Sequence, residues 1–307
     1  METLYLTHPS CRLHEMGEWH PECPQRLDAI SDQLLASGIM SYLDVREARP
    51  APREALLRAH SAAYVDALAQ RTPAQGYRAL DPDTLMNAHS YEAALHAAGA
   101  GLQAVDAVMA GGAATAFCAV RPPGHHACRD RAMGFCLFNN VAIAAYHAMA
   151  QHRVERVAII DFDVHHGNGT EEIFAGDARV LMCGIFQHPF YPYSGAESAA
   201  ENMVNVPVPA YTGGAAVRDI VTQRWLPRLE AHRPQLILVS AGFDAHREDD
   251  LGQLGLVEAD FAWMTEQIMQ TAQRHANGRV VSMLEGGYDL SALGRSVVAH
   301  IRALASL

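Results

Sequence analysis

Along nearly the whole chain, short apolar runs alternate with longer stretches whose apolar residues recur at helical spacing. Leu4–Leu6, Ala116–Val120, Val157–Ile160, Val180–Cys183, Leu236–Val239 and Val280–Leu284 are bounded runs too short for helices, and they read as buried strands. Between them Pro24–Ser37, Ser90–Met109, Asn139–Gln151, Ala215–Ala231 and Glu258–Ala276 read as amphipathic helices. Pro24 stands at the start of the first and Gly38 just past its end, as capping favours, and Ser90 is the expected N-cap of the second. Such alternation predicts an α/β fold with a largely parallel sheet and helices on both faces. There is no repeat, low-complexity segment or charge block. Pro50–Pro52 and Thr72–Gly76 are the linker-like pieces, too short to separate domains, so a single domain over residues 1–307 is expected.

The polar residues are placed even more tellingly. The run ending at Val120 leads into Arg121-Pro122-Pro123-Gly124-His125-His126. Ile160 is followed by Asp161-Phe162-Asp163-Val164-His165-His166-Gly167-Asn168-Gly169-Thr170, Val239 by Ser240 to His246, and Leu284 by Glu285-Gly286-Gly287-Tyr288. Four strands thus end in reactive side chains or glycine. In open parallel sheets, sites form in the crevice at the carboxyl ends of strands.

Composition narrows the field. Half of the residues are hydrophobic and 19% charged, the balance of a soluble globular protein. No apolar run reaches the length of a membrane span, and Met1 to His14 lacks the basic start and apolar core of a signal peptide. The six cysteines form no Cys-x-x-Cys pair and read as reduced thiols, which with the missing leader points to the cytoplasm. A net charge of −11 argues against a nucleic-acid partner and favours cationic substrates.

Asp161, Asp163 and His165 are spaced two apart, so on an extended strand they share one face. Two carboxylates and an imidazole suit a divalent metal such as zinc. If Asp163 and His165 supply two ligands, Asp244 is the best-placed third, leaving an open position of the kind catalytic sites keep. A metal there would acidify water and polarise a carbonyl, the equipment for amide hydrolysis. His125 and His126 can provide the base and acid, with Asp161 orienting one ring and Asn168 the other. Tyr288, on a Gly286-Gly287 turn, can donate to a developing oxyanion. Taken singly, each element has a purely structural reading: a turn, a satisfied core histidine, a strand-end ion pair. Four together at strand ends do not have four independent ones.

These motifs resemble those of the histone deacetylase family, within the arginase–deacetylase fold. The likeness runs from Gly17-Glu18-Trp19-His20-Pro21-Glu22-Cys23-Pro24-Gln25-Arg26-Leu27 through Arg121–Ala127, Met133–Asn140, Asp161–Thr170, Ser240–His246 and Glu285–Tyr288. It implies a three-layer fold around about eight strands, and one zinc ion held by Asp163, His165 and Asp244. His126 would be the general base and His125 its partner, backed by Asp161, with Tyr288 polarising the acyl carbonyl. Gly134 and Phe135 would line a narrow channel, with Tyr191 opposite, Gly287 beside the substrate and Arg26 behind the metal where acetate leaves. Asn168 stands where class I members carry aspartate, as in class II-like members, which should leave His126 less basic. The family's second ion, potassium near Asp161, Asp163 and His165, draws on a serine of a Ser-x-His that is Gly184-Ile185-Phe186 here. Leu251 occupies an entrance position that is acidic in a polyamine-specific subgroup.

The expected activity is therefore zinc-dependent removal of acetyl or another short acyl group from lysine side chains or related primary alkylamines. An acetylpolyamine deacetylase shares this chemistry. A two-manganese ureohydrolase would need more Asp and His than Ser240 to His246 supplies, and a silent acyl-amine reader would not be expected to keep every catalytic group. No stretch marks a membrane contact or a dimer interface, although members of the family often pair.

Overall fold

The computed structural model describes residues 2–307. Its ten strands are β1 (Thr3–Thr7), β2 (Leu43–Glu47), β3 (Arg78–Ala79), β4 (Leu85–Met86), β5 (Thr115–Cys118), β6 (Val157–Asp161), β7 (Val180–Gln187), β8 (Met203–Val208), β9 (Leu236–Ala241) and β10 (Val280–Leu284). Eight of them form one sheet in the order β2-β1-β5-β10-β9-β6-β7-β8, every pair parallel, while β3 and β4 make a small antiparallel hairpin. The helices are α1 (Gln25–Ala36), α2 (Arg53–Ala59), α3 (Ala62–Arg71), α4 (Ser90–Met109), α5 (Asn140–Gln151), α6 (Asn168–Phe174), α7 (Gly214–Ile220), α8 (Leu226–His232), α9 (Glu258–His275) and α10 (Leu290–Ala305). One layer packs α4 on α5, the other packs α1 and α9 on α10, and the sheet lies between them. The α/β expectation holds, and a sheet covered on both faces explains why its inner strands are continuous apolar runs.

The elements that sequence periodicity does not predict have physical signatures. Both edges of the sheet, β2 and β8, fall outside the expected strands: β2 (LDVRE) leaves its last three residues exposed, and β8 contains Pro207. Edge strands carry charges and proline that break the apolar signal. The stretch expected as one helix over Ala215–Ala231 is α7, a π-turn over Val221–Trp225, then α8. Pro227, in the first turn of α8, cannot complete an α-helical ladder, and the wider turn absorbs the missing donor. Ser90 is not the N-cap of α4 but its first residue; His89 is the cap, and Ser90 Oγ faces His14 Nδ1 at 2.7 Å. Gly38 does adopt the left-handed conformation, φ +74°, just beyond α1.

Four adjacent strands at the centre of the sheet, β5, β10, β9 and β6, are those whose carboxyl ends lead into the polar motifs. Register brings Asp161 beside Ser240, and Leu284 beside Ala241. The four loops therefore open on one crevice.

Candidate active site

Glu285 joins three of these loops. It is fully buried at the end of β10, where its Oε2 accepts the backbone N–H groups of Gly124 (2.6 Å) and His125 (3.0 Å). Its Oε1 accepts the hydroxyl of Ser240 at 3.0 Å. Burial pushes its pKa up to about 7, against the pull of His125 and the two N–H donors. The His125-His126 pair is thereby fixed from below.

His125 Nδ1 hydrogen-bonds Asp161 Oδ2 at 2.9 Å, and His126 Nδ1 hydrogen-bonds Asn168 Oδ1 at 2.7 Å. The Asn168 amide nitrogen faces Cys128 Sγ and Met133 Sδ, so its oxygen is the group turned to the ring. An accepting oxygen requires the hydrogen on Nδ1, which leaves the lone pair of a neutral His126 on Nε2. The two rings diverge electrostatically. Burial disfavours the charged form of His125, yet Asp161 and Asp163 raise its pKa well above the usual value. Burial, His125 and His165 together hold His126 well below it. The weak basicity expected from a neutral Asn168 is thus reinforced by the neighbouring rings.

Asp163, His165 and Asp244 converge as expected, with one ligand-type atom from each within 4.8 Å of the others. Asp163 Oδ1 lies 2.9 Å from His165 Nδ1, and its Oδ2 accepts Gly286 N–H at 2.9 Å. Asp244 Oδ1 accepts Val164 N–H at 2.9 Å, while Oδ2 lies 3.3 Å from His165 Nδ1 but is buried without a hydrogen bond. Burial and Asp163 push the Asp244 pKa up to about 7. Burial opposes a charge on His165 as well, but the two neighbouring carboxylates, Asp163 and Asp244, push it up to about 10. An orphaned buried carboxylate oxygen beside a second carboxylate is costly unless a cation joins them, so this donor set fits a divalent metal. Glycine is required beside it: a Cβ on Gly286 would lie 1.9 Å from Asp244 Oδ2.

Above the trio a cavity of about 220 Å³ is lined by His126, Gly134, Phe135, His165, Phe190, Tyr191, Leu251 and Tyr288, with Asp83 and Asp250 at its rim. Gly134 (φ +55°) and Phe135 (φ +68°) are consecutive left-handed residues, strained at Phe135 and held by its N–H on Thr84 Oγ1 at 3.0 Å. A Cβ on Gly134 would lie 2.3 Å from His126 Cδ2. Phe190 stacks on His165 at 5.6 Å, and Tyr191 meets His126 edge-on at 5.4 Å.

Tyr191 and Leu251 therefore line the cavity as expected. Gly287 does not: its carbonyl takes a 2.6 Å bond from Arg26 Nε, and its Cα faces Phe243 and Leu293. Arg26 is buried behind the trio, but its donors go to Gly287 O, Glu285 O (2.5 Å) and Glu22 (2.9 Å). Glu22 also pairs with Arg121, whose other bonds reach the carbonyls of Cys11 and His14. Sequence reasoning misses Phe190, Asp83, Asp250, Asp249 and the bridging role of Glu285. Phe190 and Asp250 adjoin predicted residues, so their proximity is the available signal; Asp83 comes from the β3–β4 hairpin and gives none.

Residues 20–304 match the family model described as the histone deacetylase domain. The chain belongs to the histone deacetylase family. It is 42% identical over 277 residues to a histone deacetylase-like amidohydrolase of Pseudomonas aeruginosa, covering 88% of this chain and 73% of that one. A probable deacetylase of Archaeoglobus fulgidus is 35% identical over 298 residues, covering 94% and 82%. The crystal structure of the HDA15 HD domain superposes with a TM-score of 0.94 at 34% identity, over 100% of this chain and 89% of that one. Membership in this deacetylase family carries with it a metal-dependent hydrolase, and the eight-stranded parallel sheet is that of the family fold. Among the described residues, no helix is long and apolar enough to cross a membrane.

Proposed function

We propose that this histone deacetylase-family protein is a zinc-dependent deacetylase acting on acetylated lysine side chains, the chain working as one catalytic domain. The observation that carries this reading is the shape of the cavity: an acidic rim, two aromatic walls and a floor of metal-type ligands beside His126 and Tyr288. An alkyl stem would lie along Phe135 and Phe190, which line the same cavity, with its amide towards the floor.

Asp163, His165 and Asp244 would hold the zinc, which supplies polarisation of the carbonyl and acidification of water. His126 takes a proton from water through Nε2 as the water oxygen bonds to the carbonyl carbon. Tyr288 donates its hydroxyl to the carbonyl oxygen as that oxygen gains charge. The C–N bond then breaks, the nitrogen receives a proton from the histidine pair, and acetate and a free amine remain. His125, held by Asp161, supplies fixed positive charge beneath the reacting groups. Arg26 would clamp the Tyr288 turn through three of its five N–H donors, leaving two to meet an acetate that departs behind the metal.

A polyamine substrate is the second reading, and the rim favours it more than Leu251 alone does, since Asp83 and Asp250 both stand there. Turnover of an acetyl-lysine peptide and of acetylspermidine by zinc-loaded protein, with a chelated control, separates the two. Chelator-sensitive preference for the peptide is expected. Preference for the polyamine overturns the lysine assignment, and no turnover of either overturns the deacetylase reading.

A further inference from the structure

A second group of metal-ligating side chains lies on the outer helix layer, away from the crevice. Asp106 on α4 directs Oδ1 to within 2.7 Å of both His147 Nε2 on α5 and His152 Nε2 at the C-cap of that helix. Their ligand-type atoms all lie within 4.8 Å of one another, as those of Asp163, His165 and Asp244 also do. The two rings stand nearly perpendicular, at 71° with centroids 5.8 Å apart. Among the described residues Asp106 forms ion pairs with these histidines and with no lysine or arginine.

Two imidazoles trained on a single carboxylate oxygen is an arrangement that hydrogen bonding does not require, since the second oxygen offers equivalent lone pairs. It is the arrangement three ligands adopt when they close on a shared centre. Bonds of about 2.0–2.1 Å in a tetrahedral site separate ligands by roughly 3.3 Å, so the carboxylate need withdraw by only about half an ångström. Asp106 is more than half exposed and can do so, whereas the rings are fixed on α5 and its cap, with His147 13% and His152 25% exposed. An open groove lined by Asp106, His147, Arg49 and Glu54 gives solvent access for the remaining coordination positions. α4 packs directly on α5, so the ligands are already close and little order is lost on binding.

We propose that Asp106, His147 and His152 form a second divalent transition-metal site that staples α4 to α5. Two nitrogens and one oxygen suit zinc, nickel, cobalt or copper rather than calcium or magnesium. The site would be distant from the reaction. His147 lies about 10 Å along the helix axis from the N-terminal end of α5, where Asn139 supports the His125-His126 loop through Ala127 O.

The test is metal stoichiometry by elemental analysis after the 307-residue chain is equilibrated with excess zinc and desalted. Two zinc ions per chain are expected in wild type, and one in His147→Gln and in His152→Gln. Zinc should raise the wild-type melting temperature above that of the one-zinc form, and the increment should vanish in both variants. Deacetylase activity of the variants should match wild type, which controls for folding. In Asp244→Ala the second ion should persist, so loss of the crevice ion and loss of this one are told apart. One zinc per chain in wild type, or a second ion undiminished in the His147→Gln/His152→Gln double variant, overturns the proposal.

Discussion

Asp249 accepts the backbone N–H of Tyr288 at 2.6 Å through Oδ2, which also accepts Asp289 N–H at 3.0 Å, while Oδ1 accepts Leu251 N–H at 3.0 Å. One buried carboxylate therefore sets both the turn carrying Tyr288 and the rim residue Leu251. Replacing Asp249 by Ala leaves three backbone donors to find water and lets the tyrosine drift. Misplacement of a reacting group by about 1 Å costs on the order of 10²-fold, so kcat should fall by about 10- to 100-fold with metal content unchanged. Single-turnover kinetics on metal-quantified protein check this.

Tyr288→Phe should lower kcat by about 10²–10³-fold, the usual consequence of losing an oxyanion donor. If Asp249 acts through Tyr288, Asp249→Ala should cost much less when combined with Tyr288→Phe than it does in wild type. Activity of Tyr288→Phe within threefold of wild type would remove the hydroxyl from the chemistry.

Asp244→Ala should lose the crevice metal and activity together, because the remaining pair cannot hold a divalent ion in a three-ligand site. Elemental analysis of the purified variant decides it. A stoichiometric ion retained between Asp163 and His165 would place the third ligand elsewhere.

At the rim, Asp83→Asn and Asp250→Asn should each raise KM for acetyl-lysine peptides with basic neighbours by about two- to fivefold, leaving kcat alone. The effect should shrink at high ionic strength and be absent for peptides with neutral neighbours. Equal KM values across the two peptide series would show that the rim charges face away from the substrate.

Glu22 offers a pH prediction away from the chemistry. Burial alone would raise its pKa, but Arg121, His14 and Arg26 hold it well below the ordinary value of 4.5. The unfolded chain therefore takes up this proton first, and the stability the ionised group contributes is whole above about pH 4.5 and lost as pH falls towards the folded pKa. Glu22→Gln leaves two buried guanidinium groups short of a partner, at a cost of about 3–5 kcal/mol near neutrality. The stability gap between wild type and Glu22→Gln, measured by chemical denaturation, should narrow progressively as pH falls below about 4.5. A gap independent of pH would mean that Glu22 is not charged in the fold.

The inner strands and the residues that gather at the crevice were legible in the sequence because a covered parallel sheet demands uninterrupted apolar runs, and polar groups follow them at once. Asp163, His165 and Asp244 can be grouped before any geometry is known, since each follows such a run closely. The edges were not legible: β2 and β8 mix charge or proline into their runs because one flank meets solvent. α10 lies outside the expected helices, although Leu293, Val297, Ile301 and Leu304 recur at helical spacing and are all buried. Asp83 could not have been assigned at all. It reaches the rim on the turn between two strands of two residues each, held in place by Asp81 and Thr84.

Glu285 gives the site its mode of failure. With one carboxylate accepting from Gly124, His125 and Ser240, and Arg26 holding the carbonyls of Glu285 and Gly287, three of the four crevice loops share one foundation. Exchanging a single loop with that of a relative should break contacts in two others, so remodelling of this pocket has to proceed from the rim, where Asp83 and Asp250 can change without disturbing what lies beneath.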